Sequence, residues 1–172
     1  MARSKSDISN GALRIFLQEV GKFYDTKRGF EPFGPKKKQK QVLLEYFKYQ
    51  CCFCGSDITE KSLSQDHLIP MNKTALGLHA WVNIVPCCQT CNNEKQQKDW
   101  QEFLKFKSSN SEFKARTQRI TSFVKKMGYD PNLDLHKYVD NLYQDVGEVT
   151  MTLINLRLKQ AEDAINTLLK SG

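Results

Sequence analysis

The sequence predicts an α+β fold, mostly helical, in which a small cysteine-stapled centre is flanked by N-terminal and C-terminal helices. Three observations point there. Apolar residues recur at helical spacing on both sides of the middle third, as in Leu13, Phe16, Leu17, Val20 and Phe23. Two Cys-x-x-Cys pairs, Cys51 with Cys54 and Cys88 with Cys91, bracket that middle third. Between the pairs the helical period gives way to short runs punctuated by Gly and Pro. A chain of 172 residues suits one domain of ordinary size.

The elements follow in order. Ala12 to Tyr24 predicts a helix capped by Ser9 or Asn10. Residues 29–35, with two Gly and two Pro, predict a loop. The basic run Lys36, Lys37, Lys38 and Lys40 leads into a second helix from Gln41 to Tyr49. Leu63 to Ile69 and Val82 to Val85 predict two strands joined by a loop from Pro70 to Ala80. Cys88 to Lys107 predicts one helix and Glu112 to Met127 another, ended at Gly128. The tail from Leu133 to Leu169 carries Leu135, Val139, Leu142, Val146, Val149, Leu153 and Leu156 in steps of four and three, a heptad stripe. That stripe either joins two copies of the chain or packs back on the other helices, and Gly147 weakens it as a free coil. The domain division expected is a basic helical arm over 1–49, a core over 50–107 and a helical region over 108–172.

Charge and composition narrow the class. No apolar run approaches the roughly 20 residues needed to span a bilayer. The first residues, Met1 to Asp7, hold no apolar core of a secretory signal. A soluble, cytoplasmic protein is expected. The net charge is +7, unevenly spread. Residues 1–50 hold 11 Lys+Arg against 5 Asp+Glu, and residues 101–130 hold 7 against 3. The cysteine segment 51–100 holds 4 against 5. Positive arms on both sides of a near-neutral centre suit a polyanion laid across it.

Six cysteines could form three disulfides in an oxidising compartment. Their grouping in Cys-x-x-Cys pairs favours structural zinc, because that spacing sets two sulfurs on one turn at the separation a tetrahedral ion needs. Cys51, Cys54, Cys88 and Cys91 are the expected ligands. Cys52 and Cys87 read as buried small hydrophobes, with Cys87 an alternative to Cys88 if the turn shifts. Four thiolates fill the coordination sphere, so this zinc would be structural.

Within the stapled segment stand Asp66-His67-x-x-Pro70, Asn83-Ile84-Val85 and Cys88-x-x-Cys91-Asn92-x-x-Lys95. With the first cysteine pair, these resemble the HNH endonucleases, the ββα-metal nuclease family, over roughly residues 50–100. The resemblance implies a central zinc-stapled ββα-metal motif and metal-dependent DNA endonuclease activity, leaving 5′-phosphate and 3′-hydroxyl ends. It implies His67 as the base that activates water, a role suited to imidazole near neutral pH. Asp66 and Asn92 would hold Mg²⁺ or Mn²⁺, since hard cations take oxygen ligands. Asn83 would brace the hairpin loop and help orient the base.

This sequence departs from the family where Asn92 replaces a frequent His. Lys73 to Gly77 replaces a frequent glycine pair, and Val82 stands where a small Gly is frequent. His79 and His136 read as structural or solvent-exposed.

The expected partner is double-stranded DNA. Lys36, Lys37, Lys38, Lys40, Lys95, Lys98, Arg116 and Arg119 are the expected backbone contacts. A restriction-type or defence nuclease, homodimeric through the tail helix, fits this pattern. The alternatives are a monomeric nicking nuclease of a phage or mobile element, and a zinc-stapled DNA-binding module that does no chemistry.

Overall fold

The computed structural model describes residues 4–34, 36–128 and 135–170. They form eight elements in chain order: helices α1 (Lys5–Lys27) and α2 (Lys37–Tyr46), strands β1 (Ser64–His67) and β2 (Ile84–Cys87), then helices α3 (Gln89–Lys95), α4 (Trp100–Lys107), α5 (Asn110–Met127) and α6 (His136–Lys170). The predominance of helix around one small hairpin is the expected fold class. Two compact units share the chain: residues 1–15 with 135–172, and residues 16–134.

In the first unit the start of α1 lies along α6. Leu13, Leu135 and Val139 are buried, and Ser6 Oγ meets the hydroxyl of Tyr143 at 3.2 Å. Gly147 permits the close approach, since a Cβ there would come within 2.5 Å of Ser9 Oγ. The heptad stripe is therefore divided. Its first residues pack inside the unit, whereas Val149, Leu153 and Leu156 stay exposed.

The second unit carries the hairpin. β1 and β2 pair antiparallel, with Ser64 opposite Cys87, Gln65 opposite Pro86, Asp66 opposite Val85 and His67 opposite Ile84. Pro86 lacks a donor but still accepts from the Cys52 N–H at 3.0 Å on the other edge of β2. Every β2 side chain is buried, against a core that includes Leu44, Phe47, Phe53, Leu104, Ile120 and Phe123. The loop before β2 turns through Val82 at φ 85°. This conformation explains the frequent glycine at that position. A β-branched residue there costs about 1–3 kcal/mol, an amount that complete burial of its side chain, worth about 1.5–3 kcal/mol, offsets.

Several element boundaries differ from expectation. α1 begins at Lys5, so Ser9 and Asn10 lie inside it. Residues Lys37 to Lys40 form the first turn of α2 and do not merely precede it. The single helix expected from Cys88 to Lys107 is two helices, α3 and α4. The break falls at Gln96, whose φ of 50° and ψ of −115° end α3. Asp99 then starts α4 by accepting from the N–H groups of Gln101 at 2.8 Å and Glu102 at 3.0 Å. Residues 129–134, where the tail helix was expected to begin, lie outside the described residues.

Gln96 is exposed and holds a backbone region that glycine enters freely. Gln96→Gly should stabilise the zinc-loaded protein by about 1 kcal/mol. Chemical denaturation followed by circular dichroism measures this, and the denaturant slope should not change.

Candidate nuclease site

Four sulfurs converge at one end of the hairpin. Sγ atoms of Cys51, Cys54, Cys88 and Cys91 all lie within 4.8 Å of one another. The Cys54–Cys88 separation is 3.8 Å, the edge expected of a tetrahedron with zinc–sulfur bonds of about 2.3 Å. The knuckle is closed by the Gly55 N–H donating to the Cys51 carbonyl at 2.9 Å, with Gly55 at φ 75°. The Cys88 Sγ caps α3 by accepting from the Cys91 N–H at 3.4 Å. Cys52 and Cys87 are buried apart from the cluster, and the Cys87 thiol donates to the Ser64 carbonyl at 3.6 Å.

Ionisation in the cluster is split. Burial works to raise the Cys54 thiol, but hydrogen bonds from Ser56 and from neighbouring thiols bring it down to about 7. Burial pushes Cys51 up to about 11 and carries Cys91 well above the ordinary thiol value, with the neighbouring sulfurs adding to the rise. Four adjacent thiols cannot all ionise unless a cation balances them. The donor set and the spacing fit zinc.

β1 leads from this staple to the Asp66-His67 pair, and strand alternation sends the two side chains to opposite faces. On one face Ser64 and Asp66 meet α3, where Asn92 and Lys95 lie one turn apart. The Asn92 Nδ2 donates to Ser64 Oγ at 2.7 Å. The Lys95 Nζ stands 2.9 Å from Asp66 Oδ2 and donates to the His67 carbonyl at 2.8 Å. Lys95 is thus the buried ion-pair partner of the Asp66 carboxylate. Burial raises the Asp66 carboxyl above the usual carboxylate range, and the Lys95 charge opposes that rise. Asp66 and Asn92 thus lie on the same face of the hairpin, the carboxylate paired with Lys95 and the amide with Ser64.

On the other face the His67 Nε2 lies 3.1 Å from Nδ1 of His79. Asn83, fully buried, braces the intervening loop. Its Oδ1 accepts from the Ile69 N–H at 2.8 Å, and its Nδ2 donates to the carbonyls of Ile69 at 2.9 Å and Leu78 at 2.8 Å. Gly77 takes the place of the frequent glycine pair, because a Cβ there would overlap the Ile69 carbonyl.

Residues 51–107 match the family model described as HNH endonuclease. Over this segment the chain is similar to the HNH endonucleases. The match covers about a third of the chain and spans β1, β2, α3 and α4, with the four cysteines, Asp66, His67, Asn83 and Asn92 inside it. HNH nucleases act on nucleic acids, so a nucleic acid is the class of partner the match implies. No curated protein matches the chain. Among the described residues no helix is long and apolar enough to cross a membrane.

The expected phosphate contacts divide. Lys95 is completely buried between Asp66 and the His67 carbonyl, so it is a structural cation inside the HNH segment and not a surface ligand. Its place was legible, since Asn92 and Lys95 are three residues apart on one helix and share a face. The Arg116 guanidinium is turned inward, donating to the Phe53 carbonyl at 2.8 Å and to Glu112 at 2.7 Å, where it supports the knuckle from α5. Arg119 donates to Gln50 at 3.3 Å. Lys36, Lys37, Lys38 and Lys98 remain exposed, and Lys40 is half-buried. His79, expected to be structural or solvent-exposed, is half-buried with its ring against His67. His136 is exposed at the start of α6 in the other unit.

Two outcomes follow from this geometry. Chelation strong enough to strip a thiolate-bound ion should unfold residues 51–107, because such a site carries much of a small domain's folding free energy. Metal analysis should first find one zinc per chain, and circular dichroism should show loss of structure as it leaves. Lys95→Met should destabilise the fold by about 3 kcal/mol or more, because it leaves the Asp66 charge buried and uncompensated. Pairing it with Asp66→Asn should recover most of that loss in a denaturation series.

Proposed function

We propose that this protein is a metal-dependent DNA endonuclease that hydrolyses phosphodiester bonds to 5′-phosphate and 3′-hydroxyl ends. One observation carries the reading: within a segment similar to the HNH endonucleases, the Asp66-His67 pair ends a strand that α3 and the sulfur cluster hold in place. His67 takes a proton from the attacking water. Asp66 and Asn92 would hold Mg²⁺ or Mn²⁺, which would supply charge stabilisation to the phosphate and to the departing 3′ oxygen. Asn83 keeps the loop that follows β1 closed, so the backbone on either side of His67 has one conformation. Hydrolysis by this route needs only water, and the product ends follow from attack on phosphorus with departure of the 3′ oxygen.

Exposed lysines at the start of α2 and Lys98 support contact with the backbone of double-stranded DNA, with affinity that falls as salt rises. The exposed outer part of α6, with Val149, Leu153 and Leu156, supports a homodimer. Two copies would allow both strands of a symmetric site to be cut. A restriction-type or defence role fits a nuclease so arranged.

Supercoiled plasmid incubated with Mg²⁺ or Mn²⁺ tests the reading. The wild-type protein should convert it to nicked or linear forms bearing 5′-phosphates, and His67→Ala should lower the rate by about 10²–10⁴-fold. DNA retention and zinc content should not change. A His67→Ala variant that cuts at the wild-type rate overturns the assignment. A wild-type protein that binds the plasmid and never cuts it leaves the DNA-binding module as the better description.

A further inference from the structure

His79 has no place in the reading above, yet the structure brings it directly to the base. The two rings are 5.3 Å apart between centroids and tilted by 49°, with His67 Nε2 and His79 Nδ1 3.1 Å apart. At that separation one nitrogen must carry the hydrogen, since two facing lone pairs repel.

His79 is held from several sides, all within residues 16–134. Its backbone N–H donates to the Leu17 carbonyl of α1 at 3.4 Å. Gly21, one turn further along α1, packs so closely that a Cβ there would strike the His79 carbonyl oxygen. The Phe33 ring meets the imidazole edge-on at 5.7 Å. Two residues on, the Trp81 N–H donates to both carboxylate oxygens of the buried Asp25, at 3.2 Å each. The His79 backbone is thereby seated against α1, and the imidazole is presented to His67 from a fixed Cα.

We propose that His79 is the positioning residue of His67, its Nδ1 accepting the Nε2–H of His67 so that neutral His67 keeps its lone pair on Nδ1. The reverse arrangement, with His79 donating, would place the hydrogen of neutral His67 on Nδ1 and engage its only lone pair at Nε2. His67 would then have no basic nitrogen for water. The role assigned to His67 rests on the nuclease reading, but the hydrogen bond does not. In the reaction an O–H bond of water breaks and an N–H bond forms at His67 Nδ1. His79 gains no proton, and its hydrogen bond to the resulting imidazolium becomes charge-assisted. Burial favours this acceptor role, because it depresses the proton affinity of His79 against the opposing pull of Asp25.

Three histidines make the chain tractable by nitrogen-15 NMR of the zinc-loaded protein. Long-range proton–nitrogen correlations should show neutral His67 protonated at Nε2. In His79→Ala that tautomer should give way to a mixture. In His79→Asn it should persist, because the amide oxygen stands where the ring Nδ1 stood. Single-turnover cleavage of supercoiled plasmid with Mg²⁺ should fall roughly 10- to 100-fold in His79→Ala, the scale on which loss of a group orienting a functional imidazole is felt. It should recover in His79→Asn and not in His79→Phe, with DNA affinity unchanged throughout.

Neutral wild-type His67 protonated at Nδ1 overturns the proposal. So does a folded, zinc-bound His79→Ala that cuts at the wild-type rate. Should His79→Ala fail to fold, the wild-type tautomer and the Asn and Phe variants decide. Wild-type protein that shows the Nε2–H tautomer but cuts no DNA sinks the nuclease reading and leaves the hydrogen bond standing.

Discussion

Four sulfurs held within 4.8 Å of one another are the constraint on which the hairpin depends. Cys54 and Cys88 are 34 residues apart, and a two-stranded sheet of four residues per strand has little stability of its own. Closing that loop with a cation removes much of the chain entropy that would otherwise dissolve the pairing. The staple also sets direction. Cys88 belongs to the sulfur cluster and is also the N-cap of α3, so an ion held there would fix where α3 begins and which of its faces meets β1.

Once α3 is fixed, the rest of that face follows from spacing. Asn92 and Lys95 arrive opposite Ser64 and Asp66, and β1 alternation carries His67 to the other side. Lys95 then has two roles that surface lysines lack. It compensates a carboxylate that burial disfavours, and it ties the His67 carbonyl to α3. Asp66 and the His67 backbone are thereby fixed by one buried ammonium acting on adjacent residues. The backbone at His67 is further tied from the loop side by the Leu68 N–H donating to the Asn83 carbonyl at 2.7 Å.

What could be read from the chain alone was whatever repeats at a fixed interval or has few chemical uses. The cysteine pairs, the Asp66-His67 dipeptide and the helical stripes of α1, α5 and α6 belong to that kind. The break between α3 and α4 was missed because Gln96 carries no local signal of a positive φ, while Asp99 could equally have been a helical surface residue. The inward turn of Arg116 was hidden for a similar reason: a guanidinium in an amphipathic helix looks the same whether it faces water or the Phe53 carbonyl. His79 was the largest omission. Its partner is twelve residues away through a loop with no period, and the glycine that admits it is in another helix.

The position of Gly21 bears on what counts as the working unit. The family match begins at Cys51, yet the loop bearing His79 is held by Leu17, Gly21 and Asp25 of α1 and by Phe33 after it. Asp25 is completely buried and satisfied by the Trp81 and Phe33 N–H groups and by Arg28. Arg28 in turn donates to the carbonyls of Met127 and Gly128 at the end of α5. Polar contacts thus join His67 to His79, and the loop after His79 through Asp25 and Arg28 to both flanks of the matched segment. An isolated piece spanning 51–107 would contain the four cysteines, Asp66 and Lys95, but would lose Leu44, Phe47, Ile120 and Phe123 from the core around β2. It would lose every α1 contact that fixes His79, and with them the geometry around the His67 ring. In this protein the cysteine-clustered core places His67, and the helices outside that core hold the loop of its His79 partner.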